Sequence, residues 1–423
     1  MNKNTRRDRF SALYVRDFRI FWIGQIISFS GTWMQSIAQG WLVYSLTKSP
    51  FFLGIVAAAS SLPVLLFALI GGVVADRLVK RRLLIITQAL SMLPAILLAI
   101  LTDLKIITVG EIIVIALFLG TVNAFDVPAR QSFLSEMVQK GHLLNAIALN
   151  SAAFNGARII GPVIAGLAIA SMGIAACFYI NAISFLAAII ALLMIRTGGI
   201  AKRRSQRFSA GYLRSNLSIL FRDLTEGLSF VKAEKNVLRI MLLVATFSLF
   251  GIPFVNFLPV FAEDILMVGP EGLGFMAGSA GIGAFTAAIL IAFRGEIREK
   301  GRYMSIASLV FAASLFAFSL SENYHVSVIA LILAGWGVVS FLAVGNSFIQ
   351  LSTPDDLRGR VMSVYTLVFF GMAPIGNSIM GFIADTLGTA TAISIGSFLC
   401  LFVAILLSGY LKTMKLEKHP SMY

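Results

Sequence analysis

Read for charge, the chain breaks into long silent runs. Residues 20–47, 51–75, 83–102, 240–262, 272–293, 326–354 and 386–411 each lack Asp, Glu, Lys and Arg. Crossing the hydrocarbon core takes about 20 mostly apolar residues at about 1.5 Å rise each. The runs therefore predict membrane-crossing helices. Breaks at Gly, Pro and charge clusters place twelve spans, at approximately 18–46, 51–75, 83–102, 107–127, 144–171, 174–196, 237–262, 271–293, 303–321, 325–350, 361–385 and 389–411. The uncharged stretch 159–195 is too long for one span, so "SMG" at 171–173 is read as a turn.

Composition agrees: 58% of the 423 residues are hydrophobic and 13% charged, against roughly 25% charged in soluble domains. The net charge of +14 would suggest a nucleic-acid partner in a soluble protein. Its distribution gives a different reason. With both termini cytoplasmic, 31 of the 34 Lys and Arg fall in the tails and the loops on one side, and only Lys48 and Lys105 fall opposite. That is the positive-inside pattern of a multi-pass membrane protein. The remaining base, Arg158, is read as the single one inside a span. Cys177 and Cys400 lie in apolar runs and read as small hydrophobes. The basic start leads into a span too long for a signal-peptide core.

The longest polar stretch, 197–236, divides the spans six and six. Its flanks resemble each other. Shifted by 220 residues, Gly31 falls on Gly251, Leu53-Gly54 on Leu273-Gly274 and Asp76 on Glu296; shifted by 215, Gly161, Gly166 and Gly173 fall on Gly376, Gly381 and Gly388. A near-constant offset indicates duplication, a mark of secondary transporters. The expected organisation is a six-helix bundle over 1–196, a cytoplasmic linker over 197–236, a second bundle over 237–411 and a tail over 412–423. The fold class is an all-α membrane protein with twelve transmembrane helices in two pseudo-symmetric six-helix bundles.

The stretch "GGVVADRLVKRR" (71–82) puts an acid and four bases at the foot of the second span. It resembles the loop Gly-x-x-x-Asp-Arg-x-Gly-Arg-Lys of the major facilitator superfamily, matched by Gly72, Asp76, Arg77, Lys80 and Arg81, with Val79 replacing the second glycine. "RGEIREKGR" (294–302) resembles its degenerate second copy. "NAFDVPARQSFLSEMV" (123–138), "NSAAFNGARIIGPVIAG" (150–166) and "STPDDLRGRVMSVYTLVFFGMAPIGN" (352–377) resemble the branch containing the enterobactin exporter and the transmembrane secretion effectors. The likeness covers nearly the whole chain and implies the major facilitator fold. It also implies that Asp76 faces the start of the eleventh span, where Asp355, Asp356, Arg358 and Arg360 are available with Arg77 and Arg81 for a charge latch. Plain cytoplasmic anchoring is sufficient for Lys80, Arg81 and Arg82.

Several residues are candidates for substrate and coupling work. Arg158 sits at mid-span, where a cation costs on the order of 3 kcal/mol and so calls for a cavity or a partner. It reads as an anion or coupling residue, or as a structural pair with Asp126. Ser151, Asn155 and Arg158 share one helix face. Gln25, Gln35 and Gln39, with Ser28 and Thr32, form a polar stripe on the first span. The resemblance puts the first, fourth, seventh and tenth spans around a cavity, adding Asn256 and Trp336. "GARIIGPVIAG" resembles the antiporter motif of exporters, with Gly161, Pro162 and Gly166 matched and Ala157 and Ala165 replacing glycines; Pro374 and Gly376 repeat it. Helix packing explains these small residues equally well.

No phosphate-binding loop is present, so a gradient-driven transporter is expected. The reading is export of a small organic compound, siderophore-like or drug-like, by alternating access with proton influx. The alternative is a lipid flippase or solute importer of the same fold. A membrane enzyme is disfavoured, with no intramembrane His and no paired mid-span carboxylates. Expected partners are a small-molecule substrate, membrane lipid and protons, with no cofactor and no nucleic acid, and the chain is expected to be a monomer. If Asp76 works in a latch, Asp76→Asn lowers transport while membrane insertion, read by membrane fractionation, is unchanged; unaltered flux removes the idea.

Overall fold

The computed structural model describes residues 11–196, 210–294, 297 and 299–414. The basic run "AKRRSQR" of the central segment, parts of both tails and part of the loop "RGEIREKGR" lie outside the described residues. The first bundle of helices is α1 (Arg16–Thr47), α2 (Pro50–Arg77), α3 (Lys80–Asp103), α4 (Val109–Met137), α5 (Leu143–Met172) and α6 (Ile174–Met194). A helix in the central segment, α7 (Ala210–Ala233), follows. Then come α8 (Lys235–Ile265), α9 (Gly269–Arg294), α10 (Lys300–Ser319), α11 (Tyr324–Ser352), α12 (Asp355–Leu387) and α13 (Thr389–Thr413).

The protein is an all-α membrane protein of the expected class, and eleven of these helices are long and apolar enough to cross a membrane. The helix α1 is the twelfth. Its 32 residues are ample, but the polar stripe from Gln25 to Gln39 dilutes its apolar character.

Helix ends follow local chemistry. Thr108 and Glu111 form a capping box at the start of α4, with the Thr108 N–H donating to Glu111 Oε2 at 2.7 Å. Asn323 Oδ1 accepts from the N–H groups of His325 and Val326 at the start of α11. The join between α5 and α6 turns on Gly173 at φ +87°, and its counterpart by the 215-residue offset, Gly388, turns α12 into α13 at φ +89°. A side chain rarely tolerates that region. The turn between α2 and α3 is made by Leu78 and Val79 alone, both extended with negative φ. Val79 therefore needs no glycine-like freedom, which explains how the motif loses its second glycine.

Two span boundaries differ from expectation. Pro128 suggests an end near 127, yet α4 continues to Met137. Proline removes one backbone donor and frees the carbonyl four residues earlier, here that of Ala124. Gly71 of α2 comes up against that carbonyl so closely that an added Cβ would lie 2.0 Å from it. Pro162 in α5 likewise frees the Arg158 carbonyl, and Gly281 of α9 packs there, its Cβ position 2.9 Å away. The second difference is α12, which begins at Asp355 rather than near 361. The span α8 is irregular, passing from α to π at Phe247–Gly251, to 3₁₀ at Ile252–Phe257 and to π again at Phe261–Ile265. Pro253 and Pro259 interrupt its ladder.

Contacts divide the chain into two compact units, Met1–Ser205 with Leu258–Gly281, and Gln206–Phe257 with Ile282–Tyr423. In the first, a cluster around Phe18, Phe21, Phe133 and Leu84 is buried. Gly161 fits beneath the Ser30 carbonyl and Trp33, joining α5 to α1. In the second, Phe247 packs on Phe311 and Phe341, and Gly376, the counterpart of Gly161, fits beneath the Leu249 carbonyl, joining α12 to α8. The duplication seen as glycine spacing is thus a duplication of helix contacts.

Adjacent glycines give a sharp check. An added Cβ at Gly72 meets nothing within 4 Å. Gly71→Ala should cost roughly 1–3 kcal/mol of stability by overpacking, and Gly72→Ala should not; thermal unfolding of the purified protein in detergent reads both.

Candidate functional site

The densest polar site lies in the first unit, where α1, α3 and α4 meet. Asp126 is buried, with Arg130 one turn later on the same helix, their side chains 5% and 14% exposed. Asp126 Oδ2 accepts from Arg130 Nε at 3.0 Å and from its Nη2. Its Oδ1 accepts from Thr87 Oγ1 at 2.6 Å and Gln88 Nε2 at 3.0 Å, both on α3. Ser28 of α1 donates to Gln88 Oε1 at 3.2 Å. Both carboxylate oxygens are therefore satisfied, and three helices are tied through one acid. Among the described residues the buried Arg130 Nη1 has no hydrogen-bond partner.

The sequence pattern places Arg130 in a loop and leaves Asp126 open as a partner for Arg158; the structure differs on both. Since α4 runs past Pro128, Arg130 lies within that helix and takes Asp126 for itself. Arg158 instead lies over the Trp33 ring of α1, its guanidinium carbon 5.6 Å from the centroid. Arg130 likewise lies over Phe29, at 4.8 Å. Phe154 of α5 sits between the two rings, edge-to-face with Phe29 at 5.4 Å and with Trp33 at 5.8 Å. Cation–aromatic contacts of this kind contribute about 0.5–2 kcal/mol each, less than the cost of an unpaired mid-span cation on the order of 3 kcal/mol.

The glutamine stripe turns inward instead of lining an open face. Gln35 is buried and its Oε1 accepts from Asn181 Nδ2 of α6 at 2.6 Å. Gln25 is buried, with an Oε1 that has no partner among the described residues, and Gln39 is half-buried. Amides crossing between α1 and its neighbours are polar glue. Asn155 donates to the Ser151 carbonyl one turn earlier at 2.9 Å.

At the foot of α2, Asp76 is exposed. Lys80 pairs with Glu136 of α4 at 2.6 Å. Arg81 donates to the Leu192 and Leu193 carbonyls, each at 2.7 Å, closing the end of α6; that use explains its position without a latch. At the other end of α1, Tyr44 donates to Asp264 and Lys48 pairs with Glu263, both acids belonging to the stretch 258–281 of the same unit.

In the second unit, Asn256 donates to Asn377 Oδ1 at 3.0 Å, joining α8 to α12. Trp336 is 6.1 Å from Tyr303 between ring centroids. Asp355 pairs with Arg358 on its own helix, while Asp356 is exposed. Arg360 pairs with Asp223 at 3.1 Å and with Glu226, both on α7. Gly227 sits beneath the Arg360 carbonyl, its Cβ position 2.7 Å away. A cavity of about 340 Å³ is lined by Ala343, Asn346, Ser347, Gln350, Leu351 and Arg358. Arg360 thus belongs to the docking of the central helix.

A family model described as "Transmembrane secretion effector" matches residues 8–422. The staphyloferrin A transporter of Staphylococcus aureus (strain NCTC 8325 / PS 47) is 24% identical over 408 residues, covering 95% of this chain and 98% of that protein. The multidrug efflux pump Tap of Mycolicibacterium fortuitum is 27% identical over 402 residues, covering 92% and 95%. Among solved structures, a POT family transporter in complex with 5-aminolevulinic acid superposes at a TM-score of 0.74, with 11% identity over 94% of this chain and 97% of that one. A D-xylose-proton symporter superposes at 0.69, with 11% identity over 96% and 98%. At such identities these structures show the shared fold alone.

The buried pair carries its own test. Removing one member leaves the other charge buried, so Asp126→Asn and Arg130→Gln should each destabilise by about 3–5 kcal/mol. The double variant should recover much of that loss in thermal unfolding; additive losses would mean that the two charges act independently.

Proposed function

The chain belongs to the transmembrane secretion effector family of the major facilitator superfamily, and from that premise we propose that it exports a small organic compound, siderophore-like or drug-like, from the bacterial cytoplasm. It is a multi-pass transporter of small molecules and not an enzyme. Export, alternating access, proton influx and cytoplasmic termini are the finer parts of the reading, with six-helix bundles over 1–196 and 237–411. Relatives that span the same length support it: one is a transporter named for a siderophore and another a pump named for drug efflux.

The observation that carries the coupling is the Asp126 network. Among the described residues, Asp126 is the carboxylate farthest from the ends of a candidate membrane-crossing helix, with α4 continuing about three turns beyond it to Met137. Ionisable groups inside membrane helices mark ion and proton paths. A proton on Asp126 removes the charge that holds Arg130 and weakens the bonds to Thr87 and Gln88. One protonation then loosens α4 from α3 and, through Ser28, from α1. Such a network is a two-state element whose balance a gradient can bias.

The test is transport in proteoliposomes under an imposed pH gradient, with siderophores and common drugs as solutes. Wild-type protein should move at least one solute against the direction of proton flow, with the movement collapsing when an ionophore dissipates the gradient. Asp126→Asn should retain exchange at equal concentrations but lose gradient-driven accumulation. Accumulation in the direction of proton flow would establish uptake instead.

A further inference from the structure

Three rings and two guanidiniums in the first unit form a continuous row. Arg130 lies over Phe29, Phe29 touches Phe154, Phe154 touches Trp33, and Arg158 lies over Trp33. The successive separations run from 4.8 to 5.8 Å, so no gap wider than one ring contact interrupts the row. Its members come from α1, α4 and α5. The middle is open: Phe154 is 43% exposed, and Phe29, Trp33 and Arg158 are half-buried.

The charge balance of the row is uneven. Arg130 is compensated by Asp126, and its one unpartnered nitrogen, Nη1, is buried. Arg158 has no acidic partner among the described residues and is held by a ring face alone. A guanidinium stacked on a ring keeps its planar edge of N–H donors free, and that edge matches a carboxylate in bidentate fashion. One free donor edge beside an exposed aromatic face defines a complementary solute, apolar in its body with an anionic group at one end.

Resting on the reading of the chain as a small-molecule transporter, we propose that Phe154 and Trp33, together with Arg158, are a subsite for an amphipathic organic anion carrying a carboxylate. Arg158 takes the carboxylate, while Arg130 stays with Asp126. Phe154 and Trp33 pack on the body. A neutral solute of the same shape keeps the packing and loses the charged contact. A cation meets like charge there.

The test is equilibrium dialysis of full-length protein in detergent with naphthalene-2,6-dicarboxylate. Its dimethyl ester and 2,6-bis(aminomethyl)naphthalene serve as the neutral and cationic counterparts. The dianion should bind at least about tenfold more tightly than the dication, a difference that one lost charge-assisted pair is sufficient to produce. Arg158→Gln should weaken dianion binding about tenfold, Arg158→Lys less, and Phe154→Leu about fivefold, the scale of one aromatic contact. Equal binding of dianion and dication overturns the proposal. So does unchanged dianion binding in both Arg158→Gln and Phe154→Leu, with thermal unfolding showing both variants folded. An anionic lipid headgroup shares this chemistry: displacement of the dianion by phosphatidylglycerol but not by phosphatidylcholine would assign the site to lipid and overturn the solute reading. Export of a drug by a protein that does not bind the dianion refutes the subsite alone. Dianion binding by a protein that exports nothing refutes the exporter reading alone.

Discussion

A charge placed inside a membrane helix has to be answered where it stands, because no water is at hand to do so. In this protein Asp126 and Arg130 answer each other across one turn of α4. The pair is neutral as a unit, so α4 can carry two ionised groups at depth. Thr87 and Gln88 fill the remaining acceptor capacity of the acid, and Phe29 covers the guanidinium. Removing the pair would leave Thr87 and Gln88 of α3 without their shared acceptor. Much of the polar architecture of the first unit is thus built around one carboxylate.

With Asp126 taken, Arg158 stands without an acid among the described residues, resting on Trp33. The contrast between the two arginines carries the functional argument. One is structural and compensated; the other keeps unused donors beside an open aromatic face. If the solute is an anion leaving a negatively polarised cytoplasm, the membrane potential assists by about 2.3 kcal/mol per charge per 100 mV. Close helix approach supports the same geometry. Gly161 lets α5 settle on α1 beside Trp33, and Gly281 covers the Arg158 carbonyl that Pro162 leaves free. The register of Arg158 against Trp33 follows from those backbone contacts.

Much of this was legible in the amino-acid order. Charge-free runs located the spans, and the 215-residue offset anticipated that Gly173 and Gly388 would make matching turns. The i, i+4 spacing of Asp126 and Arg130 was visible too, but Pro128 was read as a stop. A proline ends a helix in water more readily than in a bilayer, where a neighbouring glycine such as Gly71 can cover the freed carbonyl. The glutamine stripe was also misjudged, because period alone marks a polar face without saying whether it meets a cavity or another helix. Asn181, the partner of Gln35, lies 146 residues away. The aromatic row was beyond reach for the same reason: it depends on the rotation of α1 against α5, which no local pattern encodes.

The account turns on Asp126 and Arg130 forming an ion pair in the folded protein. Infrared difference spectroscopy of wild-type protein against Asp126→Asn measures this directly. The account predicts that the substitution removes an ionised carboxylate band and shifts the guanidinium stretch. Loss of a protonated carboxyl band instead, with the guanidinium unchanged, would contradict it.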